Sequence, residues 1–232
     1  MKKPKKITVK FFVHESLKPK VEDGVERFPL YMRITYQRRN TMLKSFYGGY
    51  YKDLKEVEKL HYPGFLEFEE RNIQKTINYE IAKLGEAFDL KGVHEKYEVY
   101  CIGIYKILES YFKNVLWMAA LRSEPAEYAK ALNFSDEEVS FETLFQIGRK
   151  IYPVIDKHLP KDFEEEIEIY QLFTKLYQGS FFQYTFPTVV EWLDGSAITD
   201  YRKKLDTFLK GDKRKLERHI AVINRIVNTG IS

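Results

Sequence analysis

Ile7-Thr8-Val9-Lys10-Phe11-Phe12-Val13 and Pro29-Leu30-Tyr31-Met32-Arg33-Ile34-Thr35-Tyr36-Gln37 decide the amino-terminal fold. Both stretches alternate with a period of two, the mark of a strand with one buried and one solvated face. In the first, Ile7, Val9, Phe11 and Val13 share a face, opposite Thr8, Lys10, Phe12 and His14. In the second, Leu30, Met32, Ile34 and Tyr36 face one way, and Tyr31, Arg33, Thr35 and Gln37 the other. Residues 17–28 read as a polar connection. Arg38-Arg39-Asn40 reads as a tight turn, with Asn40 suited to a positive φ. Residues 41–48 make a weaker third strand that ends at Gly48-Gly49. The expectation is a small three-stranded antiparallel sheet.

From residue 53 the apolar period becomes helical. Asp53 is a candidate N-cap for a short helix ending at Leu60, and Pro63 can open a longer one. Leu66, Ile73, Ile77, Ile81, Leu84 and Phe88 form one stripe, broken at residues 89–92. Residues 93–122 read as a single helix, apolar over a wide arc. A short helix is expected from Glu124-Pro125 to Leu132. A capping box at Ser135 and Glu138 starts another that runs toward His158 and bends at Pro153. An amphipathic helix over 161–178, an irregular aromatic stretch over 179–195, and helices over 196–210 and 212–228 complete the chain. The fold class is therefore α+β: a β-rich unit at 1–52, extending to 92 if the first long helix belongs with the sheet, and an α-helical bundle at 53–232.

Charge is unevenly spread. Residues 1–45 carry 12 Lys and Arg against 4 Asp and Glu, a net of +8, although the whole chain is only +4. Residues 46–200 carry 17 against 27, and residues 201–232 carry 9 against 3. Two basic ends flank an acidic middle, and basic charge concentrated on a sheet points to a polyanionic partner. Lys10, Arg33, Thr35, Gln37 and Lys44 are assigned to the polar face, Arg38 and Arg39 to the hairpin tip, and Lys2, Lys3, Lys5 and Lys6 to a basic arm. Lys203, Lys204, Lys213, Arg214 and Lys215, with Arg202, Lys210 and Arg218, are candidates to extend that surface. A sheet bearing Arg, Thr and Gln can enter a DNA major groove, and lysines bind phosphates without reading sequence.

Signatures of other chemistry are missing. His14, His61, His94, His158 and His219 stand apart from one another and from Cys101, so no metal site is expected. Neither G-x-x-x-x-G-K nor G-x-G-x-x-G occurs, and there is no G-x-S-x-G elbow. Cys101 lies among apolar residues, the setting of an inert buried thiol. Glu164-Glu165-Glu166 reads as a solvated helix face. A single cysteine excludes an intramolecular disulfide and fits a reducing compartment. No run of 18 apolar residues occurs, and the basic N-terminus lacks the apolar core of a signal peptide. The expected location is the cytoplasm.

The strands "ITVKFF…FPLYMRITYQRRNTMLKS" resemble the N-terminal arm-type DNA-binding domain of Bacteroidetes tyrosine recombinases, which are phage-integrase-like proteins. The stretch "RNIQKTINYEIAKLGEAFDLKGV" is similar to the segment that follows in that family, so the likeness spans about residues 5–92. The resemblance implies a three-stranded sheet docked on DNA, with Lys10, Arg33, Thr35, Gln37 and Lys44 facing it. The family's catalytic domain carries a His-x-x-Arg motif that this chain lacks, so strand cleavage is not implied.

The expected function is a non-enzymatic accessory protein, without cofactor, that grips double-stranded DNA. Its helical body would form a homodimer or dock on a nucleoprotein machine such as a recombinase or a CRISPR effector. The alternative is an interaction module whose sheet binds a protein partner.

Overall fold

The computed structural model describes residues 6–46, 48–61, 63–122, 139–151, 153–177 and 186–231. The chain divides into two compact units, Met1–Cys101 and Ile102–Ser232. This division lies beyond both expected positions, residue 53 and Gly92.

A 12-residue strand organises the first unit. β1 (Thr8–Val13), β2 (Lys20–Glu22), β4 (Arg39–Lys44) and β5 (Tyr50–Tyr51) all pair antiparallel with β3 (Val25–Tyr36). The α+β class holds, but the sheet has five strands rather than three. The expected connection over 17–28 contains β2, which pairs with the start of β3 across Asp23-Gly24, both at positive φ. β5 resumes the edge after the chain loops out between Ser45 N, bonded to Leu30 O, and Gly49 O, bonded to Leu30 N. Gly48 sits in that loop where an added Cβ would fall 2.9 Å from Leu30 Cδ2.

The inner face follows the period-two reading. Leu30, Met32 and Ile34 are fully buried, with Val9 and Leu43 beside them. Each such side chain contributes about 1.5–3 kcal/mol on burial. Beneath lie α1 (Leu54–Leu60), capped by Asp53 whose carboxylate accepts from Glu56 N at 2.9 Å, α2 (Phe65–Leu84) and α3 (Val93–Tyr100). Ile73 and Ile77 of α2 and Val93 and Tyr97 of α3 share one core with Val9, Met32, Ile34 and Leu43. That shared core explains why the first unit extends to Cys101. Leu84 of the expected stripe, at the end of α2, is exposed, whereas Phe88 packs against the core.

One face of α2 also buries Glu69, Asn72, Thr76 and Glu80. The Glu69 carboxylate accepts from Ser45 Oγ (2.6 and 2.8 Å), Phe46 N (2.8 Å) and Tyr97 Oη (2.8 Å), tying β4, α2 and α3 together. Glu80 accepts from Tyr100 Oη at 2.8 Å. Burial drives the Tyr97 and Tyr100 hydroxyls well above the usual phenol range, so both stay protonated as donors. The Asn72 amide and the Thr76 hydroxyl have no hydrogen-bond partner among the described residues.

The second unit is helical: α4 (Ile104–Arg122), α5 (Phe141–Ile151), α6 (Phe163–Tyr177), α7 (Val189–Leu193), α8 (Ser196–Leu209) and α9 (Lys213–Gly230). The single helix expected over 93–122 is broken at residues 101–103. There Ile104 N bonds Pro187 O at 2.8 Å and Val189 N bonds Ile102 O at 2.9 Å, so the backbone pairs sideways instead of continuing the helix. Cys101 is accordingly the buried cap of α3 rather than a mid-helix residue. Part of the expected irregular stretch is α7, opened by a Thr188/Glu191 capping box. The helix ending toward His158 stops at Ile151 and gives way to a 3₁₀ turn over Ile155–His158. The helix expected from Glu124-Pro125 and the box at Ser135 and Glu138 lie outside the described residues.

Aromatic rings fill this unit. Phe112, Phe141, Phe163 and Tyr170 interlock at centroid distances of 5.1–6.3 Å. Phe173, Trp192 and Tyr201 form a second group, and Trp192 Nε1 donates to Asn224 Oδ1 at 2.6 Å. The glutamate run is not simply a solvated face. Glu164 pairs with Arg149, and Glu165 accepts from Arg218 Nε and Nη2 at 3.1 and 3.0 Å. Glu166 is buried against Arg225 and Tyr111. The three carboxylates fasten α6 to its neighbours.

Candidate nucleic-acid interface

The register of β1, β3 and β4 sets the outer face of the sheet row by row. Lys10 stands opposite Arg33, and Arg33 opposite Met42. One row on, Phe12 faces Tyr31 and Tyr31 faces Lys44; in the other direction Thr8 faces Thr35 and Thr35 faces Asn40. Lys10, Arg33 and Lys44 are exposed. The Arg33 guanidinium lies 5.8 Å from the Phe12 ring centre and the Lys44 ammonium 5.9 Å from that of Tyr50. Thr35 is half-buried and donates its hydroxyl to Asn40 Oδ1 at 2.6 Å.

The hairpin tip differs from expectation. Gln37 and Arg38 are the turn, at φ 51° and 65°, while Arg39 and Asn40 already belong to β4. Two positive φ values match the twist of the flanking strands. Gln37 therefore projects from the tip and not from the sheet face, next to exposed Arg38 and Arg39. Beside the tip is a cavity of about 350 Å³ lined by residues including Tyr36, Gln37, Arg39, Ile81, Glu86 and Phe88. It holds no clustered acid, base and nucleophile.

Among the basic residues of the strands, the hairpin tip and the start of the chain there are two kinds. Arg27 and Lys20 are committed internally. Arg27 reaches Glu22 at 3.0 Å and Glu56 at 3.1 Å, and Lys20 reaches Glu22 at 2.6 Å. The amide of Lys52, and next the Arg27 guanidinium, hold the Glu56 carboxyl below the usual carboxylate range. Lys6, Lys10, Arg33, Arg38, Arg39 and Lys44 have no carboxylate within ion-pair distance among the described residues, and all are exposed. Lys2, Lys3 and Lys5 lie outside the described residues.

On the second unit the pairing is denser. Lys204 meets Asp200 at 2.8 Å and lies 3.9 Å from the Tyr177 ring centre, Arg202 meets Glu217 at 3.0 Å, and Arg218 meets Glu165. Lys203 and the first turn of α9, Lys213, Arg214 and Lys215, are exposed and carry no such pair among the described residues. Three cations at a helix N-terminus oppose the macrodipole.

Among the described residues no group of three or more His, Cys, Asp or Glu is placed to hold a metal ion, and no helix is long and apolar enough to cross a membrane. Period two places Phe12, His14 and Tyr31 on the outer face, where charge alone does not mark them as binding residues. In the fold they meet as one cluster, with Phe12 5.6 Å and Tyr31 5.1 Å from the His14 ring. No protein-family model, curated protein or solved structure matches the chain.

Proposed function

We propose that the protein is a non-enzymatic DNA-binding accessory factor that grips duplex DNA through the outer face and tip of its first unit. One observation carries the reading: the exposed cations of that face and tip are without carboxylate partners among the described residues, while Arg27 and Lys20 of the same sheet are ion-paired. An ion-paired arginine must give up its carboxylate to bind a phosphate; an unpaired one releases only counterions. Lys10, Arg33, Arg38, Arg39 and Lys44 provide the phosphate contacts, and Thr35 and Asn40 offer short polar groups between them. Lys203, Lys213, Arg214 and Lys215 are a second, weaker basic group.

The second unit is the body by which the protein dimerises or docks on a larger nucleoprotein machine, a recombinase or a CRISPR effector. Supporting this, Trp117, Met118 and Leu121 at the end of α4 and Ile147 and Ile151 on α5 are exposed, and exposed apolar groups mark interaction surfaces. Dimerisation would double the phosphate contacts and raise avidity.

Charge reversal at Arg33, Arg38 and Arg39 to Glu tests the reading. Loss of duplex binding with an unchanged circular dichroism spectrum is expected. Retention of wild-type affinity would reject it and favour a sheet that binds a protein.

A further inference from the structure

The outer face is graded along its strands, and its two ends carry different chemistry. Near the tip it is short, polar and cationic: Thr8, Thr35 and Asn40 next to Gln37, Arg38 and Arg39. Four residues back along β3, roughly 13 Å at the rise of a strand, it becomes aromatic. Phe12, His14 and Tyr31 lie there with ring centres 5.1–6.3 Å apart, half-buried, and with Arg33 over Phe12 and Lys44 across from Tyr31. The clusters that pack beneath the sheet draw on the opposite face, Val9, Phe11, Val13, Leu30, Met32, Ile34 and Leu43. The three outer rings are not part of that core.

A duplex offers groove edges and phosphates; its base faces are hidden in the stack. Rings flanked by two cations have no partner on it, but they match an unpaired base with its phosphate. We propose that the Phe12/His14/Tyr31 cluster stacks on an unpaired base, so that the protein prefers DNA in which a duplex adjoins a single-stranded stretch. This rests on the DNA-binding reading above and specifies the form of DNA. Stacking one base gains roughly 5- to 150-fold in affinity. Breaking into an intact duplex costs a comparable amount, so the cluster takes a base that is already unpaired. The duplex lies toward the cationic tip and the single strand runs over the aromatic end, with Arg33 and Lys44 on its phosphates.

The test compares the full-length protein on a blunt duplex and on the same duplex carrying a single-stranded thymine overhang, at fixed salt. The expected ratio of affinities is about 5- to 150-fold in favour of the overhang. Phe12→Leu with His14→Leu and Tyr31→Leu, which keeps apolar bulk and removes the three π faces, brings the ratio to about one. A 2-aminopurine at the first unpaired position is quenched on binding by the wild type and not by the leucine variant. Equal affinity for both DNAs, or an overhang preference that survives in the leucine variant, overturns the inference and leaves the duplex reading standing. Binding to neither DNA overturns the duplex reading itself.

Discussion

Glu69→Ala should unfold the first unit's internal bracing without touching the proposed interface. The carboxylate is fully buried and accepts from Ser45 Oγ, Phe46 N and Tyr97 Oη, while Ser45 Oγ itself accepts from Gly48 N at 2.7 Å. Alanine leaves three donors facing a cavity. Each unsatisfied buried group costs about 1–3 kcal/mol, partly offset where a hydroxyl rotates or water enters. The expected net loss is about 3–5 kcal/mol, in line with breaking a buried charged network and a large share of the ~5–15 kcal/mol typical of a domain. Glu69→Gln keeps the shape and one acceptor oxygen but turns an amide donor toward other donors, and should cost about 1–3 kcal/mol. Both tryptophans, Trp117 and Trp192, belong to the second unit, so indole fluorescence does not report on this event. Hydrogen exchange at β3 and β4 does. Protection there should fall in the order wild type, Gln, Ala. An alanine variant that loses less than about 1 kcal/mol of protection would refute the bracing role.

Gln37→Asn with Arg38→Gly fits a turn that holds two non-glycine residues at positive φ. It should stabilise the hairpin by about 1 kcal/mol in urea-dependent exchange of β3 and β4, yet weaken DNA binding by removing a tip cation. Thr76→Val replaces a buried hydroxyl that has no partner among the described residues with a methyl of the same shape, and should stabilise the first unit by about 1–2 kcal/mol. His61 stacks on Phe65 with ring centres 3.9 Å apart and hydrogen-bonds Tyr51, and burial lowers its pKa below the usual imidazole value. The neutral ring is thus favoured in the fold. Its contribution is complete above about pH 6.5 and is lost as the pH falls through the depressed folded value. Unfolding followed between pH 7.5 and 5 should show a decline that His61→Phe flattens.

Much of the first unit is legible because its strands are amphipathic. Period two alone separates Leu30, Met32 and Ile34 from Tyr31, Arg33 and Thr35, and burial follows that division. The short strands are hidden for a physical reason: Lys20-Val21-Glu22 has too few residues to show a period, and only Asp23-Gly24 signals its turn. The tip reads one residue too late because Asn40 looks like the positive-φ residue, whereas strand twist assigns that conformation to Gln37 and Arg38. Residues 93–122 look continuous since apolar residues run through them; the sideways pairing of Ile102 and Ile104 with Pro187 and Val189 is a long-range contact that no local pattern encodes. The same holds at the interface. The number of cations is visible in the sequence, but which of them are already paired, as Arg27 and Lys204 are, depends on carboxylates brought in by the fold.

The most direct measurement of the central claim is the salt dependence of duplex binding, wild type against Arg33→Glu/Arg38→Glu/Arg39→Glu. With about five phosphate contacts from Lys10, Arg33, Arg38, Arg39 and Lys44, log K should fall against log salt with a slope of about −4 to −5. The triple variant should bind so weakly that no specific isotherm remains. A wild-type affinity that is flat in salt, or a variant that binds with the same slope, would contradict the account.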